Sequence, residues 1–187
     1  NNMKARKLII VESPNKIKKI QSFVGSDYVV MATCGHFLEL DDSKFGIGID
    51  INDNFKPFYK LDPNKKDRIK QIVDIAKNCN EIFVCTDNDR EGEAIGQHIA
   101  TFVRQDDKIK RATFNEITKS AVLKALENPT KIDDDKVDSQ KARQVMDKIV
   151  GYKVSPILWK SIVSKTPLSA GRVQSIGLKI IVDRQRE

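Results

Sequence analysis

Short apolar runs alternate with amphipathic segments along residues 7–128, and this alternation constrains the fold more than any other feature. Four apolar runs predict strands: KLIIV (7–11), YVVMAT (28–33), EIFVCT (81–86) and KRATF (110–114). Apolar residues at helical spacing predict helices over residues 16–24, 63–78, 90–104 and 118–128. Alternating strands and helices indicate an α/β fold of the Rossmann-like kind, with a mostly parallel sheet flanked by helices.

The pattern changes after a polar, turn-rich stretch at residues 128–136. The chain then predicts a helical segment with a break at Gly151 and Ser155-Pro156, and a further helix from Ser169 onward. We therefore expect an α/β domain over residues 1–130, followed by the incomplete start of an all-helical domain over residues 137–187. A helix still predicted at the last residue suggests a piece of a longer protein. Residues 41–62 predict irregular or short-strand structure.

Composition narrows the partners and the compartment. Lys and Arg total 33 against 26 acidic residues, a net charge of +7, which favours a polyanionic partner such as nucleic acid. The 3 cysteines have no spacing typical of a zinc site or a disulfide framework, so we expect buried or half-buried reduced thiols in a cytoplasmic protein. No apolar run approaches the roughly 20 residues of a membrane span, so we expect no membrane partner.

Acidic residues cluster directly after the third predicted strand. Asp87 and Asp89 leave the strand end two residues apart, and Glu91 lies in the first turn of the next helix. Carboxylates this close repel one another unless a cation neutralises them, and hard oxygen ligands suit Mg²⁺. The alternative is that acids are favoured in a first helical turn by the helix dipole, with no metal. Three spaced acids favour the metal.

Glu12 follows the first predicted strand in the same way, and Lys16 comes four residues later. An acid and an amine at one edge of a sheet could serve proton transfer and charge neutralisation in phosphoryl transfer. An exposed Glu–Lys pair of the i,i+4 kind is the alternative. The residues alone leave both interpretations open.

Several motifs resemble the type IA DNA topoisomerases. VESPNKIKKI, TCGHFLEL, TDNDREGEAIGQH and FNEIT resemble the Toprim domain of that family, and GIGIDINDNFKPFY is similar to the segment between them in its bacterial topoisomerase I branch. QKARQVMDKIVGYKVSPILW and LSAGRVQS resemble the start of the family's helical domain, which grips single-stranded DNA. The combination of DREGE with LSAGRVQS is highly specific, and the resemblance covers nearly the whole chain from Lys7.

The resemblance implies roles for the acidic residues and the lysine. It implies that Asp87, Asp89 and Glu91 bind Mg²⁺ beside the scissile phosphate. Glu12 would lie at the transesterification centre, in contact with the metal or the leaving 3′ oxygen. Lys16 would stabilise negative charge in the transition state.

The resemblance also implies contacts with a single-stranded segment of DNA. The residues at these positions are His36, Arg143, Gln144, Asp147, Tyr152, Trp159, Ser169, Ala170, Gly171, Arg172, Val173 and Gln174. Arg172 would contact the backbone, whereas Tyr152 and Trp159 could instead be core residues of the helical segment. Gln144 stands where an arginine is common in the family.

The family nucleophile has no counterpart in this chain. Type IA cleavage uses a tyrosine in a separate downstream domain, and none of the 3 tyrosines here has that context. The resemblance therefore implies an N-terminal fragment, inactive alone, of an enzyme that relaxes negatively supercoiled DNA through a 5′-phosphotyrosine. Its partners would be DNA and the remainder of its own chain, in the cytoplasm with the nucleoid.

Three alternatives remain open at this point. A stand-alone Toprim nuclease or primase-like enzyme would use the same acids with water or a nucleotide. A non-catalytic DNA-binding module would not respond to Mg²⁺. Topoisomerase III or reverse gyrase could be the parent in place of topoisomerase I, although GIDINDNF favours the latter.

Overall fold

The computed structural model describes residues 6–104 and 106–161, with side chains as far as residue 152. The strands, in chain order, are β1 (Arg6–Val11), β2 (Tyr28–Ala32), β3 (Leu38–Leu40), β4 (Ile49–Asp50), β5 (Lys56–Pro57), β6 (Tyr59–Leu61), β7 (Cys79–Val84) and β8 (Ile109–Arg111). The α-helices are α1 (Ile17–Val24), α2 (Lys66–Ala76), α3 (Arg90–Val103), α4 (Lys119–Glu127) and α5 (Asp134–Ser161). These residues form two compact units, 6–39 with 59–140 and 40–58 with 141–161.

The first unit is built on a four-stranded sheet in the order β2-β1-β7-β8. All three pairings in this sheet are parallel. Each parallel connection contains a helix, because parallel neighbours need a long crossover. The predicted α/β fold with a parallel sheet and flanking helices is confirmed.

Both faces of the sheet are covered, which explains why its central strands are apolar throughout. Leu8 and Ile10 of β1 face a cluster that includes residues of α2 and α3. Ile9 and Val11 face the opposite cluster, which includes residues of α1 and α4. Successive side chains of a strand point to opposite faces, so a strand buried on both sides shows no polar alternation.

The second unit is a small assembly around a short antiparallel pair. Ile49 of β4 lies opposite Pro57 of β5. Ile47 and Ile49 pack with Val145 of α5 in a buried cluster. The predicted irregular or short-strand character of residues 41–62 agrees with these two- and three-residue strands.

One local prediction is wrong. Helix α5 runs without interruption through Gly151 and Pro156 to Ser161, although a break was expected there. A glycine costs about 1 kcal/mol in a helix and a proline removes one backbone hydrogen bond, and a long helix can absorb both. His98, by contrast, concerns packing: it is 9% exposed. It lies on the buried face of α3, against the rings of Phe37 and Tyr59.

The predicted burial of the cysteines is confirmed. Cys79 and Cys85 are buried, Cys34 is half-buried, and all three are free thiols. Separately, none of the helices within the described ranges is both long and apolar enough to cross a membrane.

Candidate active site

The candidate site lies where the connections of the parallel sheet diverge. The chain passes from β1 through α1 to β2 on one side, and from β7 through α3 to β8 on the other, while β1 and β7 are neighbours. Ligands of open α/β sheets bind beyond the carboxyl ends of the strands at such a switch point. Glu12 follows β1 directly, and Asp87 comes three residues after the end of β7.

Three of the expected site residues are in contact at this edge. The backbone N–H of Asp87 donates a hydrogen bond to Glu12 Oε1 over 3.0 Å. Lys16 Nζ lies 2.9 Å from Asp87 Oδ1. Lys16 is thus paired with an acid 71 residues away. The alternative of a local Glu12–Lys16 pair is not what the described side chains form.

A tight turn after β1 positions Lys16. Ser13 Oγ accepts the Asn15 N–H over 3.3 Å at the start of the 3₁₀ turn Pro14–Lys16. Proline suits this first turn because its missing N–H would have no partner there. The turn leads directly into α1, so Lys16 is fixed between β1 and α1 and stays at the sheet edge.

Asp89 begins helix α3. Its Oδ1 accepts the Gly92 N–H over 2.7 Å, with the extended backbone typical of an N-cap. Glu91 lies half-buried in the first turn. Capping uses one oxygen of Asp89 and leaves the other available, so a capping role and a ligand role are compatible at this residue.

The oxygen groups at this edge of the sheet are of the kind that binds a hard divalent cation. Glu12, Asp87, Asp89 and Glu91 offer only carboxylate oxygens, which Mg²⁺ prefers. In the parts of the chain that the structure describes, no three acidic, histidine or cysteine side chains already converge as a metal site. Three of these carboxylates already have partners: Glu12 accepts the Asp87 N–H, Asp87 pairs with Lys16, and Asp89 caps helix α3. Mg²⁺ usually keeps several waters and takes few protein ligands, so a closed cage is not required.

A buried ion pair behind this loop is the feature that sequence reasoning missed. Arg111 Nε lies 2.8 Å from Glu93 Oε1, and their side chains are 0% and 5% exposed. Arg111 Nη2 donates to the carbonyl oxygen of Asp87 over 2.9 Å. The sequence did carry a signal: Arg111 is two residues after Ile109 in a short strand, on the same buried face.

Burial also removes a possible nucleophile from the loop. Cys85 is the first residue after β7. Burial raises the pKa of its thiol to about 12, opposed in part by the nearby charge of Arg111. A thiol that stays protonated at neutral pH is a poor nucleophile. The chemistry of this edge therefore rests on oxygen groups and lysine.

His36 lies on a loop beside the end of β1. The Thr33 N–H donates to the Val11 carbonyl over 2.9 Å, and the Gly35 N–H donates to the Glu12 carbonyl over 3.3 Å. Gly35 has a φ of +88°, which glycine adopts readily. The loop therefore follows β1 past its end, with the His36 side chain exposed.

The other expected DNA contacts lie on α5 or outside the described residues. Arg143 and Asp147 are exposed and form an i,i+4 pair of 3.8 Å. Gln144 is half-buried, and Tyr152 is 67% exposed. Trp159 lies on α5 but its side chain is not described. Ser169, Ala170, Gly171, Arg172, Val173 and Gln174 lie outside the described residues.

Two family models match the chain. The model of the Toprim domain matches residues 7–117, and a DNA topoisomerase model matches residues 131–187. The first match contains the parallel sheet, the Glu12 turn and the acidic loop. The second begins just before α5.

Curated relatives and a solved structure extend these matches. The chain is 48% identical to DNA topoisomerase 1 of Campylobacter jejuni and 39% identical to that of Streptomyces coelicolor, over 97% of its length in both cases. It spans 26% and 20% of those proteins. Full-length topoisomerase I of Thermotoga maritima matches with a TM-score of 0.79 and 42% identity, over 96% of this chain and 30% of that one.

These similarities agree with the motifs and with the geometry of the sheet edge. The Toprim match alone covers more than half of the chain. The solved structure is 42% identical in sequence, so the likeness to it is not limited to the fold. The chain belongs to the DNA topoisomerase I family, within the type IA enzymes, and carries the family's Toprim domain together with part of its topoisomerase domain.

Proposed function

We propose that this chain supplies the Mg²⁺ site and part of the single-stranded DNA site of a DNA topoisomerase I. The complete protein would relax negatively supercoiled DNA by transient cleavage of one strand through a 5′-phosphotyrosine. The chain alone would not cleave DNA. It would act in the cytoplasm with the nucleoid.

The observation that carries the proposal is the contact of Glu12, Lys16 and Asp87 at the switch point of the sheet. These residues come from two chain segments more than 70 positions apart, yet the Glu12 carboxylate accepts the backbone N–H of Asp87, and Lys16 Nζ lies 2.9 Å from Asp87 Oδ1. Phosphoryl transfer uses acid and ammonium groups that lie close together around the reacting phosphate. The parallel sheet presents this point to a ligand.

The residues at this edge would divide the work. Asp87, Asp89 and Glu91, with Glu12, would hold Mg²⁺, which when bound neutralises charge on a phosphate group. Lys16 would leave its pair with Asp87 for the phosphate, because an ammonium is a mobile point charge on a flexible stem. Glu12 would accept or return a proton at the 3′ oxygen.

Residues of α5 and of the following segment would hold the DNA strand. Arg143 is exposed and can meet backbone phosphates, and Tyr152 offers an exposed ring for a base to stack on. Arg172 would act as a second backbone contact. The net charge of +7 favours this polyanionic partner.

None of the tyrosines is suited to be the nucleophile. Tyr28, the first residue of β2, pairs with Lys7 near the start of β1, at the opposite end of the strands from the acids. Burial raises the pKa of Tyr59, which packs against His98. Tyr152 lies on α5, for which we propose a DNA-holding role. A positioned hydroxyl in line with the leaving oxygen is needed for transesterification.

A supercoiled-plasmid assay with trapping of covalent adducts tests this function. With Mg²⁺ present, the chain should give no relaxed plasmid, no nicked plasmid and no protein–DNA adduct. Covalent adducts would show that a nucleophile is present and would refute the proposal that the chain is inactive alone. Nicked plasmid that disappears with Asp87→Asn would favour the nuclease alternative.

A further inference from the structure

Glu93 is the third acid of the DREGE segment and has no part in the proposed metal site. We propose that Glu93, acting through Arg111, is a positioning residue that fixes the main chain of Asp87 at the sheet edge. This inference rests on the proposed function for the role of Asp87. The metal would then be held by the exposed and half-buried acids, and the buried Glu93 would hold their loop.

The pair is buried so deeply that its charges require full compensation. Arg111 is 0% exposed and Glu93 is 4% exposed as whole residues. A buried ion pair is stable only when its geometry is good and its remaining hydrogen-bonding groups find partners. The Nε–Oε1 distance of 2.8 Å meets the first condition.

The guanidinium meets the second condition by binding the loop. Arg111 Nη1 donates to the carbonyl oxygens of Val84 and Thr86 over 3.1 Å each, and also to Thr86 Oγ1. Nη2 donates to the carbonyl oxygen of Asp87 over 2.9 Å. The β7–β8 ladder ends at the Val84–Arg111 pair, so beyond it the carbonyls of Thr86 and Asp87 have no strand partner. The guanidinium of Arg111 therefore donates hydrogen bonds to the carbonyls that a longer β8 would otherwise pair with.

The second oxygen of Glu93 ties the same loop to the start of α5. Glu93 Oε2 accepts the Asp133 N–H over 3.0 Å. The main chain of Arg111 pairs with Thr130 over 2.8 Å in both directions, which brings Asp133 to this position. Asp133 in turn accepts the Lys136 N–H in the first turn of α5. All these residues lie in the first compact unit.

These contacts explain why position 93 needs a carboxylate. Both neighbours of its oxygens are donors, Arg111 Nε–H on one side and the Asp133 N–H on the other. In Glu93→Gln the amide NH₂ would face a donor in either orientation, and the buried guanidinium would lose its counter-charge. Glu93→Asp keeps the charge but is one methylene shorter and cannot span both donors.

Hydrogen exchange in the metal-free chain tests the positioning role. The readout is the Asp87 N–H, which donates to Glu12 Oε1 and is remote from the substituted atom. In Glu93→Gln we expect this amide to exchange about tenfold faster with water, because local opening of the loop becomes easier. Glu93→Asp should restore part of the protection.

A matched variant separates positioning from general loss of stability. Val122→Ala removes buried volume from the cluster on the opposite face of the sheet. It should lower the melting temperature without a selective change at Asp87. If Glu93→Gln accelerates the Asp87 amide no more than Val122→Ala does, the inference is wrong.

A second variant covers the case in which Glu93→Gln does not fold. Thr86→Val keeps the shape of the side chain and the ion pair but removes the hydroxyl, which accepts from Arg111 Nη1 and donates to the Gly92 carbonyl oxygen. It should accelerate the Asp87 amide by a smaller factor, and an unchanged rate would overturn the inference.

A Mg²⁺ titration of the same samples distinguishes failure of the proposed metal site from failure of the positioning role of Glu93. If the parent chain shows no response to Mg²⁺, the proposed metal site fails, while the exchange rates still decide the role of Glu93. If the parent responds, Glu93→Gln should weaken the apparent affinity several-fold and Val122→Ala should not. Equal affinities in all three would overturn the inference alone.

Discussion

At the residue scale, Gly92 sets how closely the acidic loop packs against α3. A Cβ at this position would lie far inside van der Waals contact with the carbonyl oxygen of Asp87, and 2.9 Å from the carbonyl carbon. The Gly92 N–H meanwhile donates to Asp89. The glycine of DREGE is therefore required for space, since any side chain would push the Asp87 main chain away from the helix.

Gly92→Ala should destabilise the chain and displace Asp87. Overpacking against backbone costs about 1–3 kcal/mol, because backbone moves less easily than a side chain. Gly96→Ala is the control: its Cβ would meet Val84 Cγ1 at 3.3 Å, a side-chain atom that can shift. Denaturant unfolding should show a clear loss for Gly92→Ala and a much smaller change for Gly96→Ala. Equal effects would contradict the steric argument.

The buried thiol of Cys85 should make the folded chain less stable at alkaline pH. Its pKa is about 12 in the folded chain against an ordinary value of 9.0, because burial disfavours the thiolate. Above pH 9 the unfolded thiol loses its proton while the folded one keeps it. The free energy of unfolding should therefore fall by up to about 1.4 kcal/mol per pH unit from this group, through the range up to pH 12.

The measurement is denaturant unfolding at a series of pH values from 7 upward. Cys85→Ala should reduce the alkaline slope, although its stability at neutral pH is lower. Val122→Ala, a cavity in the same cluster without a titrating group, should keep the parent slope. Burial also raises the pKa of Tyr59, so some slope should remain in Cys85→Ala. Identical slopes in all three would exclude Cys85 as a source.

The pairing of Glu93 with Arg111 could not be predicted from either residue alone. Arg111 stands at a core position of its strand, which signals a buried charge, but the identity of its partner depends on packing between β8 and α3. The exposed acids were easier to recognise because their spacing after an apolar strand is local. Side chains that meet only in the folded chain leave no such local pattern.

At the element scale, apolar patterning predicted the strands of the sheet to within a few residues. β7 runs from Cys79 to Val84 rather than from residue 81 to 86, because its ends are set by pairing with β1 and β8. The strands β3 to β6 are too short to have a pattern of their own. They are defined by their pairing, β4 with β5 and β3 with β6, and not by an apolar pattern that the sequence shows.

Asp89 caps helix α3 and also belongs to the proposed metal site, and two substitutions separate these two roles. Asn caps a helix about as well as Asp, whereas Ala does not, at a cost of about 0.5–2 kcal/mol. Asp89→Asn should therefore keep the stability of the chain and weaken its NMR response to Mg²⁺. Asp89→Ala should lose both.

Thr118 provides the comparison for the capping effect, since it caps α4 by accepting the Ala121 N–H over 3.3 Å. Thr118→Ala should cost similar stability and leave the Mg²⁺ response unchanged. If Asp89→Asn responds to Mg²⁺ like the parent chain, Asp89 has no part in the metal site.

At the scale of the whole molecule, strand order brings the site together. Placing β1 beside β7 puts Glu12 and Asp87 within hydrogen-bonding distance although they are 75 residues apart. The sequence placed Glu12 and Asp87 each directly after a predicted strand, and parallel strands end at the same edge of a sheet. It did not predict which strands are neighbours, because strand order depends on the packing of helices over both faces.

The DNA-binding proposal concerns α5 and the segment after it. Arg143 is exposed in the second compact unit and has one described ion pair, with Asp147 on the next turn. An exposed i,i+4 pair is worth only a few tenths of a kcal/mol, so Arg143 can exchange it for a phosphate at little cost. This weak local pairing makes Arg143 a suitable residue for a test of DNA binding.

The chain should bind single-stranded DNA more tightly than duplex, with an affinity that falls as salt rises. Each phosphate neutralised on a single strand contributes about −0.7 to the slope of log affinity against log salt. Arg143→Ala should weaken binding and reduce the slope by about that amount. Fluorescence anisotropy with a labelled oligonucleotide at several salt concentrations measures both quantities, and Arg172→Ala should behave in the same way.

Lys70→Ala is the charge-matched control, because Lys70 is exposed on α2 in the first compact unit and loses the same charge. It should leave both affinity and slope close to those of the parent chain. Equal losses for Arg143→Ala and Lys70→Ala would mean that the DNA is attracted by net charge alone. A loss confined to Arg143 and Arg172 would place the strand along α5 and the segment that follows it, since only a localised contact distinguishes two substitutions of equal charge.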